Sequence, residues 1–233
     1  LKPIGAPAGP AERGTAIHAA IDRFGDGDDA LTLLRLLDEE LRAAGVGAER
    51  RAAEQERLAV SAAALVAWFA ERRKLNPEVY REKRGVLRLG DVALRGVADR
   101  IEVAAGYAAI MDYKTGEPPT DKQVQSGLAP QLLLEAAMLA QGAFEGVPRA
   151  RASELIYWRI GNADPTPRAL QLERGVDDSA ETALARLTGL LKHYAMADQP
   201  FLSKPRVQFI KPYAEYDLLA RRKEWADADG DDQ

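Results

Sequence analysis

Residues 80–113 read YREKRGVLRLGDVALRGVADRIEVAAGYAAIMDY, and hydrophobic and polar residues alternate along this segment. Turn-forming residues interrupt the alternation twice, at Gly90-Asp91 and at Ala105-Gly106. Side chains alternate between the two faces of a β-strand, so three alternating runs joined by short turns predict an antiparallel meander. The predicted strands are Tyr80–Leu89, Val92–Val103 and Tyr107–Tyr113.

The segment before the meander has helical spacing instead. Ile17, Ile21 and Phe24 recur at helical intervals, and a Gly/Asp-rich break follows at 25–29. Two Ala/Leu/Arg/Glu-rich segments, at about Ala30–Ala44 and Ala48–Leu75, also predict helices, the second ended by Asn76-Pro77. We therefore predict a helical N-terminal third, in which residues 30–75 form a helical insertion that covers the core.

After the meander, the pattern predicts a helix, a strand and a second helix. These are expected at about Pro130–Phe144, Glu154–Ile160 and Asp177–Ala197. The resulting fold class is α/β, with an αβββαβ core, a mixed central sheet flanked by helices, and extra N-terminal helices. We expect a linker at 1–11, one domain over 12–225 and a disordered acidic tail at 226–233.

Composition limits the classes of protein that fit this chain. With 233 residues and 46% hydrophobic content, it can bury a substantial core. It has no cysteine, which excludes disulfides and thiolate metal sites within it. It lacks a long apolar run and a signal-peptide pattern, so we expect a cytoplasmic protein without a membrane segment. Because it begins with Leu1 rather than Met, we expect it to be part of a longer polypeptide.

Two strands of the meander carry carboxylates among apolar residues. Regular alternation places Asp99 on one face with Val97, Ile101 and Val103, and places Asp112 with Ile110 and Lys114 on the next strand. An unpaired buried charge is costly, so both carboxylates need a cation, a metal ion or several hydrogen-bond donors.

Paired carboxylates on neighbouring strands form a good oxygen site for Mg²⁺. A metal ion there would stabilise phosphate charge and lower the pKa of a bound water, and Lys114 could orient that water. His18, beside the apolar stripe of the first helix, could add an imidazole ligand. Each residue also has a structural interpretation: His18 as a satisfied helix residue, Asp112-x-Lys114 as a solvated strand end, and Asp99 as a turn cap.

Four segments in this order carry a resemblance to a known family. They are ERGTAIH at 12–18, GVADRI at 96–101, DYKTG at 112–116 and PQL at 130–132. The chain resembles the RecB-like nucleases of the PD-(D/E)XK superfamily, most closely the C-terminal nuclease domain of the AddB subunit of AddAB helicase-nucleases. The resemblance is strong from His18 to Gln141, and it implies a restriction-endonuclease-like fold.

The resemblance also implies a site. The metal ligands would be His18, Asp99, Asp112 and the backbone carbonyl of Tyr113, with Mg²⁺ or Mn²⁺ as the cofactor. The family lysine falls on Lys114 and the family glutamine on Gln131, while a first-strand glutamate matches Glu82. The expected catalytic residues are thus Asp99, Asp112, Lys114, Gln131 and Glu82.

Two departures from the family pattern stand out. A tyrosine often follows the family glutamine by one helical turn, but Glu135 occupies that position here. Many relatives hold an iron–sulfur cluster with flanking cysteines, whereas this chain has no cysteine. We therefore expect no iron–sulfur cluster in this chain, and packing by Tyr213, Tyr216 and Trp225 in its place.

The function implied is a Mg²⁺-dependent deoxyribonuclease of the exonuclease type, acting in double-strand break repair and recombination in the bacterial cytoplasm. It would cut single-stranded DNA delivered by a helicase and would bind an AddA-like helicase-nuclease subunit. The alternatives are a catalytically silent DNA-guiding scaffold, a free-standing RecB-like or Cas4-like exonuclease, and an unrelated α/β protein. Arg81, Lys83, Arg84 and Arg88 either contact phosphates or form a charged edge strand that blocks aggregation.

Overall fold

The structure, a computed structural model, describes residues 8–25, 27–161 and 165–200. Along these residues the elements are α1 (Pro10–Arg23), α2 (Ala30–Ala43), α3 (Ala48–Arg73), β1 (Glu78–Leu89), β2 (Val92–Ala104), β3 (Tyr107–Lys114), α4 (Asp121–Gln125), α5 (Gln131–Ala140), β4 (Glu154–Arg159), β5 (Pro167–Ala169) and α6 (Gly175–Tyr194).

The meander is confirmed, with strand ends within two residues of those predicted. β1 pairs with β2 and β2 pairs with β3, both in antiparallel orientation. The two connecting turns contain Gly90 and Gly106, whose φ angles are +62° and +71°. A side chain with a Cβ atom is strained in this left-handed region, which explains glycine at both turns.

The sheet has five strands in the order β1-β2-β3-β4-β5. β3 and β4 are parallel and β4 and β5 are antiparallel, so the sheet is mixed as predicted. The chain crosses from β3 to β4 through α4 and α5, as a parallel pair requires. The predicted α/β fold with an αβββαβ core is confirmed, whereas the short elements α4 and β5 were not predicted.

Helices cover both faces of the sheet. α1, α2 and α3 form one hydrophobic core with Tyr113, Trp158 and Ile160. α5 and part of α6 form the other core, with Ile101, Ile110 and other inward side chains of the sheet. Because both faces are covered, consecutive residues of β3 are buried whichever way they point.

A buried charge network joins α3 to the sheet. Arg72 Nε donates to Glu102 Oε2 at 2.6 Å, and Arg100 Nε donates to Glu102 Oε1 at 2.8 Å. The Arg100 guanidinium also lies over the ring of Phe69, 4.2 Å from its centroid. Glu102 is fully buried, so its charge depends on both arginines.

The chain divides into two compact units, Leu1–Gly189 and Leu190–Gln233, and every residue of the candidate site belongs to the first. α1 already begins at Pro10, inside the expected linker at 1–11. The end of the expected domain over 12–225, the acidic tail at 226–233, and Tyr213, Tyr216 and Trp225 lie outside the described residues. Within the described ranges, none of the helices combines the length and apolar character needed to cross a bilayer.

Candidate active site

The candidate site lies where β2 and β3 separate. Their pairing ends at Arg100 opposite Met111, one position short of Asp99 and Asp112. The amide of Tyr113 donates instead to the carboxylate of Asp99, with 2.8 Å between N and Oδ2. The Asp99 carboxylate thus accepts a hydrogen bond that a backbone carbonyl of β2 would accept in a regular β-ladder. This bond holds Asp99 against β3.

The alternation of β2 is interrupted next to Asp99. Ala98 and Ile101 both lie in the core beneath α5, although residues three apart on a regular strand point to opposite faces. The prediction that Val97, Asp99, Ile101 and Val103 share one face is therefore wrong. The register of the flanking pairs puts Glu82 opposite Asp99. Glu82 has a φ of +46°, in the left-handed region, so the backbone is distorted at this pair. Such a distortion changes the direction in which both side chains point.

The first cluster of the site consists of His18, Glu82 and Asp99. Each offers a ligand atom, and these atoms lie within 4.8 Å of one another. His18 Nδ1 is 3.2 Å from Asp99 Oδ1, and His18 Nε2 is 2.7 Å from the carbonyl oxygen of Tyr113. Both ring nitrogens therefore face oxygen atoms, an environment that favours positive charge at this position.

Titration of the first cluster reflects this crowding. The hydrogen bond to Asp99 is the main factor that raises the pKa of His18. Burial, followed by repulsion from Asp99, raises the pKa of Glu82. The contributions from Asp99 to both shifts are those expected of neighbouring negative charge, which a cation would neutralise.

The second cluster consists of Asp112, Lys114 and Gln131. Lys114 Nζ lies 2.9 Å from Asp112 Oδ1 and 2.7 Å from Oδ2. Gln131 Nε2 donates to Asp112 Oδ1 at 2.7 Å, and Gln131 Oε1 accepts from Lys114 Nζ at 3.2 Å. The three side chains thus form a closed hydrogen-bonded triangle at the end of β3 and the start of α5.

Asp112, the carboxylate of this triangle, is deeply buried, with 1% of its surface exposed. Burial and then repulsion from Asp99 raise its pKa, while Lys114 opposes the shift. Lys114 is close to Oδ2, but that buried oxygen accepts no well-aligned hydrogen bond. Asp112 therefore keeps one acceptor position for a further partner.

Glu135 also lies beside this triangle, although the sequence analysis assigned it no role. Gln131 Nε2 donates to its Oε1 at 3.1 Å, one helical turn along α5. The residue is 4% exposed, its Oε2 has no hydrogen-bond partner, and burial raises its pKa to about 8. Burial thus disfavours loss of the proton from this carboxyl group. The sequence signal was its spacing of four residues from Gln131, which places both on one helix face.

The geometry fits a hard divalent cation. Asp99, Asp112 and the Tyr113 carbonyl could supply oxygen donors and His18 an imidazole, and donors of these types suit Mg²⁺ or Mn²⁺. The close three-ligand group contains Glu82 rather than Asp112, which belongs to the second cluster. Tyr113, bonded to His18 and Asp99 and adjacent to Asp112 in sequence, joins the two clusters.

Comparison with known proteins finds a matching superfamily and several relatives. The profile of the PD-(D/E)XK nuclease superfamily matches residues 2–209. Uncharacterized proteins of Rickettsia felis and Rickettsia conorii are each 33% identical to this chain over 147 residues, which is 56% of its length. The chain covers only 17% and 18% of those two proteins. The crystal structure of SSO0001 aligns with this chain at 15% sequence identity and a TM-score of 0.29. The alignment covers 62% of this chain and 69% of the SSO0001 chain.

Proposed function

The chain belongs to the PD-(D/E)XK nuclease superfamily, and we propose that it is a divalent-metal-dependent nuclease that hydrolyses phosphodiester bonds of single-stranded DNA. The observation that carries this proposal is the meeting of two charge clusters at Tyr113. One cluster offers His18 and Asp99 to a cation, and the other places Lys114 against Asp112.

We assign the metal ligands to His18, Asp99, Asp112 and the Tyr113 carbonyl, with Mg²⁺ or Mn²⁺ as the cofactor. When bound, such an ion stabilises negative charge on the phosphate and lowers the pKa of a coordinated water. Glu82 is exposed and lies within the close ligand group, so it can accept a proton or take part in cation binding.

The second cluster would orient the attacking water and neutralise charge on the phosphate. Lys114 is 30% exposed at its side chain and can reach solvent while paired with Asp112, so it can orient the attacking water and neutralise phosphate charge. Gln131 holds both partners of that pair, because its amide nitrogen contacts Asp112 and its amide oxygen contacts Lys114. These contacts preorganise the charges before the substrate arrives.

We further propose that the enzyme acts as an exonuclease on strands delivered by a helicase, in double-strand break repair and recombination. The resemblance of the motifs to AddB nuclease domains supports this role, as well as an AddA-like partner subunit. The net charge of −4 also fits a domain that obtains much of its DNA affinity from a partner. The same resemblance supports the bacterial cytoplasm as the location.

The direct test is cleavage of end-labelled single-stranded DNA with Mg²⁺, with Mn²⁺ or with EDTA. Wild type is compared with Asp99→Asn, Lys114→Ala and the control Asp38→Asn, which changes an exposed carboxylate in an ion pair with Arg51. We expect metal-dependent cutting that survives in the control and is lost in both site variants. Cutting that persists in Asp99→Asn and Lys114→Ala would contradict the assignment. If wild type does not cut even with its helicase partner, the chain is a DNA-guiding scaffold.

A further inference from the structure

The distal part of the β1–β2 hairpin forms a two-stranded ribbon that extends away from the site. β2 pairs with β3 only from Arg100 onward, whereas it pairs with β1 as far as the turn, where Val92 lies opposite Leu89. The ribbon therefore spans about 83–98, with Glu82 and Asp99 at its near end. Its two faces have different surroundings.

One face of the ribbon is packed against α5. A Cβ atom on Gly85 would lie 2.7 Å from Met138 Cε, and one on Gly96 would lie 3.7 Å from Met138 Sδ. Gly85 and Gly96 are also register partners, so both turn this face towards Met138. Alternation sends the side chains at the neighbouring positions to the opposite face.

The opposite face is exposed and basic. It carries three exposed arginines and two exposed valines, which are Arg84, Arg88, Arg95, Val86 and Val97. Among the residues that the structure describes, no carboxylate forms an ion pair with any of these three arginines. Like charges held together without counterions repel, and an anionic ligand would relieve that repulsion.

Protection of the outer edge of β1 does not account for the charge of Arg84. The outer edge of β1 is already paired at this level, because Val86 N donates to the carbonyl of Ala143 and Glu145 N donates to the carbonyl of Arg84, each at 3.0 Å. A covered edge needs no further charge to prevent strand addition. Arg95 lies on β2, which pairs only with β1 at this level, and strand pairing places it opposite Val86, on the same face as Arg84.

The basic face leads to the candidate active site. Six residues separate Glu82 from Arg88, which on a strand is a distance of about 20 Å. That length accommodates up to about six phosphates at the roughly 3.4 Å strand spacing of B-form DNA, and fewer if the strand is extended.

We propose that the ribbon face formed by Arg84, Arg88 and Arg95, with Val86 and Val97 between them, binds the phosphate backbone of single-stranded DNA and guides it to the active site. This proposal rests on the proposed nuclease function and names the substrate surface. It selects Arg84 and Arg88 from the four basic residues singled out in the sequence and adds Arg95. Lys83 alternates with Arg84 and belongs to the side of the ribbon that faces α5.

The chemistry of this face predicts the mode of binding. Guanidinium groups bind phosphate oxygens strongly, whereas valine offers only apolar contact to bases and no hydrogen bond to their edges. Binding should therefore be insensitive to sequence and strongly dependent on salt concentration.

The test measures binding of a fluorescent oligothymidylate in EDTA over a range of salt concentrations. Wild type is compared with the triple variant Arg84→Gln/Arg88→Gln/Arg95→Gln. The matched control is Arg42→Gln/Arg57→Gln/Arg174→Gln, which removes three exposed arginines that likewise lack ion pairs among the described residues. Both variants change the net charge equally, and circular dichroism melts check that both are folded.

We expect the ribbon variant to reduce the slope of log K against log salt by about 2, at roughly 0.7 per lost phosphate contact. Its binding should be weaker than that of wild type by about 10- to 100-fold at low salt, and the control should stay close to wild type. Equal slopes for wild type and ribbon variant, or an equal loss in the control, would overturn the proposal. So would failure of wild type to bind, which would favour an acidic protein as the partner of this face.

Metal-dependent cleavage measured in parallel separates this proposal from the proposed function. Cutting by wild type together with an unchanged salt slope in the ribbon variant rejects the guiding surface and keeps the nuclease. Loss of salt-dependent binding in that variant, with no cutting by wild type alone or with its helicase partner, keeps the surface as a DNA-binding site and rejects the nuclease.

Discussion

The side-chain amide of Gln131 donates to Asp112 Oδ1 at 2.7 Å and so joins the start of α5 to the end of β3. The same nitrogen donates to Glu135, and the amide oxygen accepts from Lys114. One neutral side chain therefore orders three ionisable groups.

Replacing Gln131 with alanine should reduce the rate of DNA cleavage by about 100-fold, comparable to the loss of one donor in a preorganised site. The physical reason is that Asp112 and Glu135 lose a shared donor and Lys114 loses an acceptor. Single-turnover cleavage kinetics measure the effect, with Gln55→Ala, an exposed position on α3, as the control. An unchanged rate in Gln131→Ala would show that the triangle has no part in the chemistry.

Glu135→Gln should stabilise the protein, and the gain should depend on pH. Burial raises the pKa of Glu135 from 4.5 to about 8, so the folded state keeps a proton that the unfolded state loses. The stability from this group is complete below pH 4.5 and is lost as pH rises towards 8. At about 1.4 kcal/mol per pH unit, the cost at pH 7 reaches at most about 3.5 kcal/mol.

Urea unfolding at pH 5 and at pH 7.5 measures this effect. Wild type should lose more stability between the two values than Glu135→Gln does. Parallel pH dependence in the two proteins would mean that Glu135 is ionised in the folded state at neutral pH.

Millimolar Mg²⁺ or Mn²⁺ should raise the melting temperature of the wild-type protein. A ligand that binds the folded state at ten times its Kd stabilises by about 1.4 kcal/mol, which corresponds to about 3–6 °C for a chain of this size. Asp99→Asn should lose this shift and Asp38→Asn should keep it, since only Asp99 belongs to the ligand group. The same shift in wild type and Asp99→Asn would place the bound ion elsewhere.

Glu102→Gln should destabilise the protein by about 3–5 kcal/mol, because it leaves Arg72 and Arg100 without their shared buried carboxylate. The control Glu39→Gln removes exposed ion pairs to Arg23 and Arg35 and should change stability much less, because solvent screens exposed charges. Chemical denaturation measures both. A small loss in Glu102→Gln would show that packing alone docks α3 on the sheet.

Much of the fold could be predicted from the sequence, since in long segments such as 80–113 and 30–75 the period of the hydrophobic pattern indicates the secondary structure. α4 and β5 could not, because five and three residues are too few to show a period. Alternation in β2 also could not reveal that Arg100 and Glu102 are buried, since a polar face can contact either water or a second layer of helices. The sequence predicted only part of the basic ribbon face, because the place of Arg95 on that face depends on the pairing of β2 with β1.

The candidate site was less accessible to prediction, for a related reason. The motifs identified Asp99, Asp112 and Lys114, but grouping them by strand alternation placed Asp99 on the wrong face. The cause is the left-handed backbone of Glu82 on the neighbouring strand, a conformation that a glutamate does not signal. Glu135 was noticed only as a departure from a family pattern, since its burial depends on how α5 docks.

The hydrogen bond between His18 and Tyr113 joins residues that are 95 positions apart in the chain. Closing so large a loop is slow relative to forming local helices and turns. On the ribosome, His18 is therefore made long before the strand that it contacts, and a partly folded chain has scattered carboxylates without a complete ligand set. The proposed cleavage activity should therefore appear only after these distant segments have met.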